Sequence, residues 1–175
     1  VGGPTQPSME AMLKLVKEID PTQVKHIEIK MPGKAHIFAA AKMPALSLPY
    51  LCSVILEDGK LDFNQAQSHE RFISPSIRDK MTRVEVLYDA SQERDPRSES
   101  ALVTLTLNDG SQVSHFVEHV LGYPTRPMSH DDVESKAREL IVPVMGEKRA
   151  QQLIDAVWNI EELGDICDLV PLLKL

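Results

Sequence analysis

The stretch ALVTLTLNDGSQVSHFV, residues 101–117, contains the strongest structural signal in the sequence. Val103, Leu105 and Leu107 alternate with a more polar set of residues, which is the pattern of a strand with one buried face. Asn-Asp-Gly at 108–110 is typical of a hairpin turn, because Asn and Gly adopt the positive φ angles that such turns need. The stretch therefore predicts a β-hairpin with strands over 101–107 and 112–117.

On both sides of the hairpin, the pattern predicts further strands and amphipathic helices. Ile27, Ile29 and Met31 alternate with charged residues and predict a strand over 24–31, and a second short strand is expected over 84–88. Helices are expected over 8–20, 47–57, 74–83, 130–142 and 147–162, with a polar loop over 89–100. This mixed order favours the α+β class, with an antiparallel or mixed sheet of about four strands and helices packed on one face.

Ser8, Ser47 and Ser129 are predicted N-caps, the last within a capping box, and Pro21 and Gly59 are predicted to end the first two helices. The apolar tail, residues 166–175, is expected to pack back on the body.

Length, charge and hydropathy limit the class of protein. A chain of 175 residues predicts one domain, 1–175. The formal net charge is −7 and the basic residues form no run, which argues against a nucleic-acid partner. No apolar run approaches the ~20 residues that cross a bilayer. We therefore expect no membrane insertion and a cytoplasmic protein.

The cysteines and most histidines have ordinary interpretations. Cys52 and Cys167 lie in apolar helical patterns and are expected to be buried thiols, and no Cys or His spacing matches a zinc site. His115 and His119 fall on one predicted strand about 13 Å apart, too far to share a metal ion. We expect them to be solvated, and we predict no metal site.

His36 is the strongest candidate for chemistry. It follows a predicted strand end, in the aperiodic stretch 34–46, and loops at strand ends often hold site residues. A neutral imidazole can exchange a proton with a substrate near working pH. The alternative is an ordinary loop histidine.

The opening segment, VGGPTQ at residues 1–6, is a second candidate. Glycines leave backbone N–H groups accessible ahead of a helix, which suits a carboxylate. The alternative is a flexible chain end. The sequence shows neither a nucleophile–base pair nor clustered carboxylates, which argues against a small enzyme that acts alone.

Several segments in order resemble the MmgE/PrpD family, whose members include 2-methylcitrate dehydratase, cis-aconitate decarboxylase and iminodisuccinate epimerase. The strongest is GYPTRPMS at 122–129 followed by ESKAR at 134–138, and the match spans nearly the whole chain. The other segments are SLPY at 47–50 with EDG at 57–59, IEIKMP at 27–32, KMTRV at 80–84 and LGDI at 163–166.

The resemblance implies the C-terminal α+β domain of a two-domain fold. The helical N-terminal domain, which supplies much of the chemistry, would be outside this chain, and the active site would lie between the two domains. It also implies a cofactor-independent lyase acting on a small carboxylic acid as a homodimer. Dehydration of the 2-methylcitrate type is the default expectation, and decarboxylation or epimerisation is the alternative within the family.

The resemblance also implies which residues touch the substrate. His36 stands where some members have a Tyr that contacts the substrate, and is expected to be catalytic. Substrate-binding groups are expected at Gly2, Gly3, Thr5, Gln6 and Lys42. Gly2 and Gln6 stand where histidines are frequent in the decarboxylase branch, and the Lys of that branch would precede Val1. A non-catalytic interaction or dimerisation domain is the rival hypothesis from another class. If the opening segment and the 34–46 stretch form one cleft, the enzyme hypothesis is favoured.

Overall fold

The computed structural model describes residues 1–94 and 99–174, and within them the chain divides into two compact units. Unit 1 is Val1–Arg126 and unit 2 is Pro127–Leu175. Residues 95–98, part of the polar loop predicted over 89–100, lie outside the described residues. Just before them, Ala90–Gln92 forms a 3-10 turn rather than an irregular loop.

Unit 1 consists of short helices around a four-stranded sheet. In chain order its elements are α1 (Gln6–Leu15), β1 (Val24–Met31), α2 (Ala35–Ala39), α3 (Leu48–Asp58), α4 (Phe63–Gln67), α5 (His69–Ile73), α6 (Pro75–Met81), β2 (Val84–Tyr88), β3 (Ala101–Leu107) and β4 (Gln112–Val117). Single 3-10 turns occupy Gly3–Thr5, Pro21–Gln23 and Pro44–Leu46. The α+β class is confirmed, and the bounds of the predicted strands are confirmed as well.

The sheet is mixed, with the order β2-β1-β3-β4. β1 pairs with β2 in parallel, with Ile29 opposite Val86, whereas its other neighbour is antiparallel, with Ile29 opposite Val103. β3 and β4 form the predicted antiparallel hairpin, and Gly110 in its turn has a φ of 85°.

The core of unit 1 lies between one face of this sheet and helices α1 and α3. The alternating apolar residues of β1 and β3 are buried on that face, as Ile27, Ile29, Val103 and Leu105 show. Helix α3 is buried along most of its length from Leu48 to Leu56, so it forms the centre of the unit. Burial at roughly 25 cal/mol per Å² of apolar surface makes this core the main source of stability.

The first helix differs from its predicted bounds of 8–20. It begins at Gln6, with Pro7 in the first turn, so Ser8 is a buried residue inside the helix rather than its N-cap. It ends at Leu15, where the Lys17 N–H donates to Lys14 O at 3.2 Å. Bonds of this i to i+3 kind tighten a final turn and end the helix before the proline that was expected to stop it.

The stretch 34–46 was predicted to be aperiodic, and that prediction missed its local structure. It contains α2 and the 3-10 turn Pro44–Leu46. Within α2 only Ala35 is buried, so the helix has no continuous buried face that would give the sequence an apolar period. The alanine-rich composition still favours a helical turn, because alanine has the highest helix propensity.

Helix α3 confirms the predicted N-cap and C-terminal signals. Ser47 Oγ accepts from the Tyr50 N–H at 3.4 Å, and Gly59 ends the helix with a φ of 69°. Pro49 lies in the first turn, where its missing N–H costs nothing.

Unit 2 contains α7 (His130–Met145), α8 (Glu147–Trp158), α9 (Val170–Leu173) and the 3-10 turns Ile160–Glu162 and Ile166–Leu169. The predicted capping box is confirmed, since Ser129 Oγ accepts from the Asp132 N–H at 3.1 Å. α8 ends at Trp158 rather than near 162. Gly146 separates α7 from α8 with φ 79° and ψ 161°, a conformation that essentially only glycine adopts.

Two sequence predictions about side chains are wrong. Cys167 is exposed in the turn Ile166–Leu169, although Cys52 is buried in α3 as predicted. The turn is too short to pack both of its sides, so its apolar pattern does not imply burial. His119 lies beyond the end of β4, with its ring stacked on Tyr123 at 4.3 Å. In the described parts of the chain, no helix is both long and apolar enough to cross a membrane.

Candidate functional site

The opening segment lies against the stretch that follows β1. The Gly2 N–H donates to Ala45 O at 3.3 Å, which joins the segment to the end of the 34–46 stretch. Thr5 is fully buried, and its hydroxyl donates to Gly2 O at 2.7 Å. The segment is therefore fixed by hydrogen bonds, which opposes its interpretation as a flexible chain end.

Both glycines of the opening segment are closely approached by side chains. A Cβ on Gly2 would lie 2.5 Å from Leu46 Cδ2, and a Cβ on Gly3 would lie 2.9 Å from Glu99 Oε2. Glycine therefore permits the contact at each position. No local pattern selects Glu99, because it is 96 residues from Gly3 in the chain and only the fold brings the two together.

Beside this junction is an open cleft of about 580 Å³, which we call the Lys42 cleft. The end of α2 and the residues after it form one wall, the start of α3 forms the floor, and α5, α6 and the start of β2 form the other wall. The residues that line it are Ala39, Ala40, Ala41, Lys42, Ser47, Pro49, Phe72, Arg78, Met81, Thr82 and Val84.

The Lys42 cleft has positive charge on a largely apolar surface. Its charged lining residues are Lys42 and Arg78, both exposed, and none of the described residues that line it is acidic. Ser47 lies at the N-terminus of α3, where the helix dipole adds partial positive charge. The arrangement suits a small anion with an aliphatic body.

A polar network behind the cleft holds α4 and α5 against α3. The fully buried Tyr50 lies in α3, and its hydroxyl donates to Gln65 O at 2.6 Å, with Ser68 O 3.2 Å away. The Tyr50 ring also contacts the ring of Phe72 edge-on, with centroids 5.3 Å apart. Since Phe72 lines the cleft, Tyr50 positions one of its walls. Burial raises the pKa of the Tyr50 hydroxyl, so it stays protonated as a donor at neutral pH.

A salt bridge at the C-terminal end of α3 fixes the start of α5. Arg71 Nη2 lies 3.0 Å from Asp58 Oδ1, and this hydrogen-bonded guanidinium lowers the pKa of the Asp58 carboxyl below its ordinary value of 3.8. The carboxylate form is therefore the one that the folded protein prefers.

Potential metal ligands do not gather in the described residues, where no three His, Cys, Asp or Glu side chains form a group that could hold a metal ion. The His119 ring instead makes a local contact, with Nδ1 2.8 Å from Thr125 Oγ1. The thiol of Cys52, in α3, is buried in the core. Burial raises the pKa of this thiol, so it is not a nucleophile at neutral pH.

Comparison with known proteins identifies the architecture. Residues 1–162 match the family model of the MmgE/PrpD C-terminal domain. The chain belongs to the MmgE/PrpD family. It is similar to cis-aconitate decarboxylase from Homo sapiens, with 25% identity over 158 residues, which cover 86% of this chain and 32% of the human protein. The chain thus spans about a third of the length of this curated relative.

For an MmgE/PrpD C-terminal domain, the predicted site residues fall into three places. Gly2 lies at the junction with residues 45 and 46, followed by Gly3 beside Glu99 and Thr5 bonded back to Gly2. Gln6 begins α1 with an exposed side chain. Lys42 lines the cleft on the other side of that junction. His36 is exposed on α2, and its carbonyl accepts from the Ala40 N–H at 3.1 Å, so it lies one turn before the cleft wall.

The opening segment and the 34–46 stretch are therefore joined, but they do not line one described cleft, so their placement by itself does not favour the enzyme hypothesis. The segment touches residues 45 and 46, whereas the Lys42 cleft is lined by residues 39–42 and 47 on either side of them. His36 is not among the residues that line this cleft.

Arg78 lines the cleft but is not predicted from the sequence, since an isolated Arg in a polar helix gives no signal of its own.

Proposed function

We propose that this chain is the C-terminal domain of a lyase that acts on a small di- or tricarboxylic acid, by a reaction of the 2-methylcitrate dehydratase type. The observation that supports it is the Lys42 cleft, whose described lining has two cations and no acidic side chain. A polycarboxylate needs such cations to offset the loss of its hydration. Membership of the MmgE/PrpD family supports the same class of substrate.

In the proposed reaction, a proton is removed from the carbon next to a carboxylate, and the hydroxyl group on the neighbouring carbon is protonated and leaves as water. The substrate becomes an alkene. Lys42 binds a substrate carboxylate and so favours the negative charge that develops beside it. We assign proton exchange with the substrate to His36, one turn before the cleft wall, because an imidazole can act as a general acid or a general base. Gly2, Gly3, Thr5 and Gln6 supply polar groups at the edge of the site. Side-chain acid–base groups suffice for this chemistry, so the proposal includes no cofactor.

Decarboxylation is the second candidate reaction. The similarity to human cis-aconitate decarboxylase favours it, although that likeness covers only a third of the human protein. The first step would again need a bound carboxylate and a proton donor or acceptor, so the same residues would serve. The product distinguishes the two reactions, since only decarboxylation releases CO₂.

A non-catalytic interaction or dimerisation role is the candidate from another class. The apolar tail was expected to pack back on the body, and Arg149 Nη2 does donate to Pro171 O at 2.9 Å. Even so, Ile166 is 61% exposed and Leu173 is 58% exposed. Exposed large apolar side chains in one short segment favour a protein contact in this part of unit 2.

The test joins the chain to its natural N-terminal region and follows alkene absorbance and CO₂ release with 2-methylcitrate, citrate and cis-aconitate. We expect His36→Ala to lower kcat/KM at least tenfold, about 1.4 kcal/mol of transition-state stabilisation. His26→Ala, at the opposite end of β1, is the matched control and should keep full activity.

Full activity in His36→Ala would remove His36 from the site and leave the domain as a structural lid. A lack of activity on every acid would direct the search to epimerase substrates. The 175-residue chain by itself should show no turnover, because most of the catalytic groups are expected in the N-terminal domain. Turnover of 2-methylcitrate by the chain alone would contradict this.

A further inference from the structure

The basic residues at the end of unit 1's helical segment differ in their partners. Lys80 Nζ lies 2.9 Å from Glu57 Oε2, and Arg83 Nη2 lies 2.7 Å from Asp79 Oδ2. Arg78 shares α6 with Lys80, yet within residues 1–94 and 99–174 its guanidinium makes no ion pair or side-chain hydrogen bond. Of these three cations, the one without a protein partner is the one that lines the Lys42 cleft.

Lys42 is in the same situation across the cleft. It is exposed, and it makes no ion pair with any described residue. With no acidic side chain in the described lining, neither cation is neutralised by a residue of the cleft, so both are accessible to an anionic ligand. Two cations in one cleft match a ligand with two carboxylates better than a ligand with one.

The two cations differ in chemistry. The guanidinium presents paired N–H donors in a plane that matches a carboxylate, whereas an ammonium group acts as a point charge. We propose that Arg78 is a specificity-determining residue that binds a second carboxylate of the substrate, while Lys42 binds the first. This inference rests on the proposed function, because it assigns the Lys42 cleft to the same carboxylic acid.

The apolar wall of the cleft narrows the class of ligand. Phe72, Met81 and Val84 line it together with the alanines of residues 39–41. Such a wall suits the CH₂ groups or a short alkyl branch between two carboxylates, since apolar surface is removed from water there. Inorganic phosphate has no apolar part and gains nothing from this wall.

Helix α6 is anchored independently of Arg78. Ser76 Oγ donates to Glu57 Oε2 at 3.0 Å, and Lys80 reaches the same carboxylate. Replacing Arg78, an exposed side chain, should therefore leave the fold and its unfolding midpoint unchanged. A loss of binding in that variant then reports on the cleft itself.

The first experiment measures binding of tricarballylate, an unreactive tricarboxylate, to the 175-residue chain by NMR titration at fixed salt. We expect Arg78→Gln to weaken binding at least tenfold and Arg78→Lys to weaken it less. Arg83→Gln removes the same charge from a neighbouring residue outside the cleft and should bind as the wild type does. Butyrate, with one carboxylate, should lose little affinity in Arg78→Gln.

Three results would overturn the inference: no tricarballylate binding by the wild-type chain, equal weakening by Arg78→Gln and Arg83→Gln, or phosphate binding as tight as that of tricarballylate. In the two-domain protein, Arg78→Gln should raise KM at least tenfold with a smaller change in kcat. Arg78-dependent tricarballylate binding without lyase activity on any acid would refute the proposed function alone. Lyase activity with an unchanged KM in Arg78→Gln would refute this inference alone.

Discussion

Substitutions at Tyr50 measure how much its hydroxyl and its ring, which hold Phe72 in the cleft wall, contribute to the free energy of unfolding. Tyr50→Phe deletes only the hydroxyl, whose 2.6 Å hydrogen bond reaches Gln65 O, and keeps the ring against Phe72. A net hydrogen bond contributes about 1 kcal/mol. Gln65 and Ser68 are only half-buried, so water can reach the released carbonyls and the cost should stay near that value.

Tyr50→Ala also removes the fully buried ring and should cost about 3–5 kcal/mol, as for other large aromatic truncations in a core. The measurement is urea unfolding of the 175-residue chain at neutral pH, followed by far-UV circular dichroism. Tricarballylate binding should survive in Tyr50→Phe and weaken in Tyr50→Ala, since Phe72 loses its contact only in the second variant. Equal costs for the two variants would refute the reasoning, because the ring would then contribute nothing beyond its hydroxyl.

Three further predictions concern charge, backbone and thiols. Asp58→Asn should lower the free energy of unfolding by about 1 kcal/mol at neutral pH. This difference from the wild type should vanish as the pH falls through the lowered pKa of Asp58, because the protonated carboxyl no longer stabilises the fold. Gly146→Ala should cost about 1–3 kcal/mol by urea unfolding because of its φ of 79°, whereas Gly164→Ala, also in open space but without a positive φ, should cost less than about 1 kcal/mol. In the folded chain, a thiol reagent should modify exposed Cys167 and spare buried Cys52. In denaturant, the same reagent should modify both thiols.

Each of these predictions can fail separately. An acid-independent cost of Asp58→Asn would mean that its ion pair is not the cause. Equal costs for Gly146→Ala and Gly164→Ala would show that the positive φ is not limiting. Modification of both thiols at the same rate in the folded chain would contradict the burial of Cys52.

Local sequence patterns were sufficient for the strands and for several helix ends. The alternation in 101–107, the Asn-Asp-Gly turn and the N-cap at Ser47 each depend on neighbours within a few residues, so they can be predicted without knowledge of the tertiary structure. The same patterns misjudged Ser8 and Cys167, because burial depends on what the rest of the chain places beside a residue.

The candidate site shows the same division. Lys42, His36 and the opening glycines are predicted from the sequence and its family resemblance, whereas Arg78 and Glu99 are not. Neither residue has a local motif, and each acquires its place through contacts between segments that are far apart in the chain.

The sequence by itself thus determined the strands, the α+β class and the segments resembling MmgE/PrpD proteins, since these depend on short-range periodicity and on the order of motifs. Only the tertiary structure decided the sheet order β2-β1-β3-β4, with β2 parallel to β1, because strand pairing is a contact between distant segments. It also decided that Lys42 and Arg78 share one cleft. Both line it because α6, which carries Arg78, packs against α3 beside the stretch that carries Lys42, and no local pattern encodes a contact between segments so far apart in the chain.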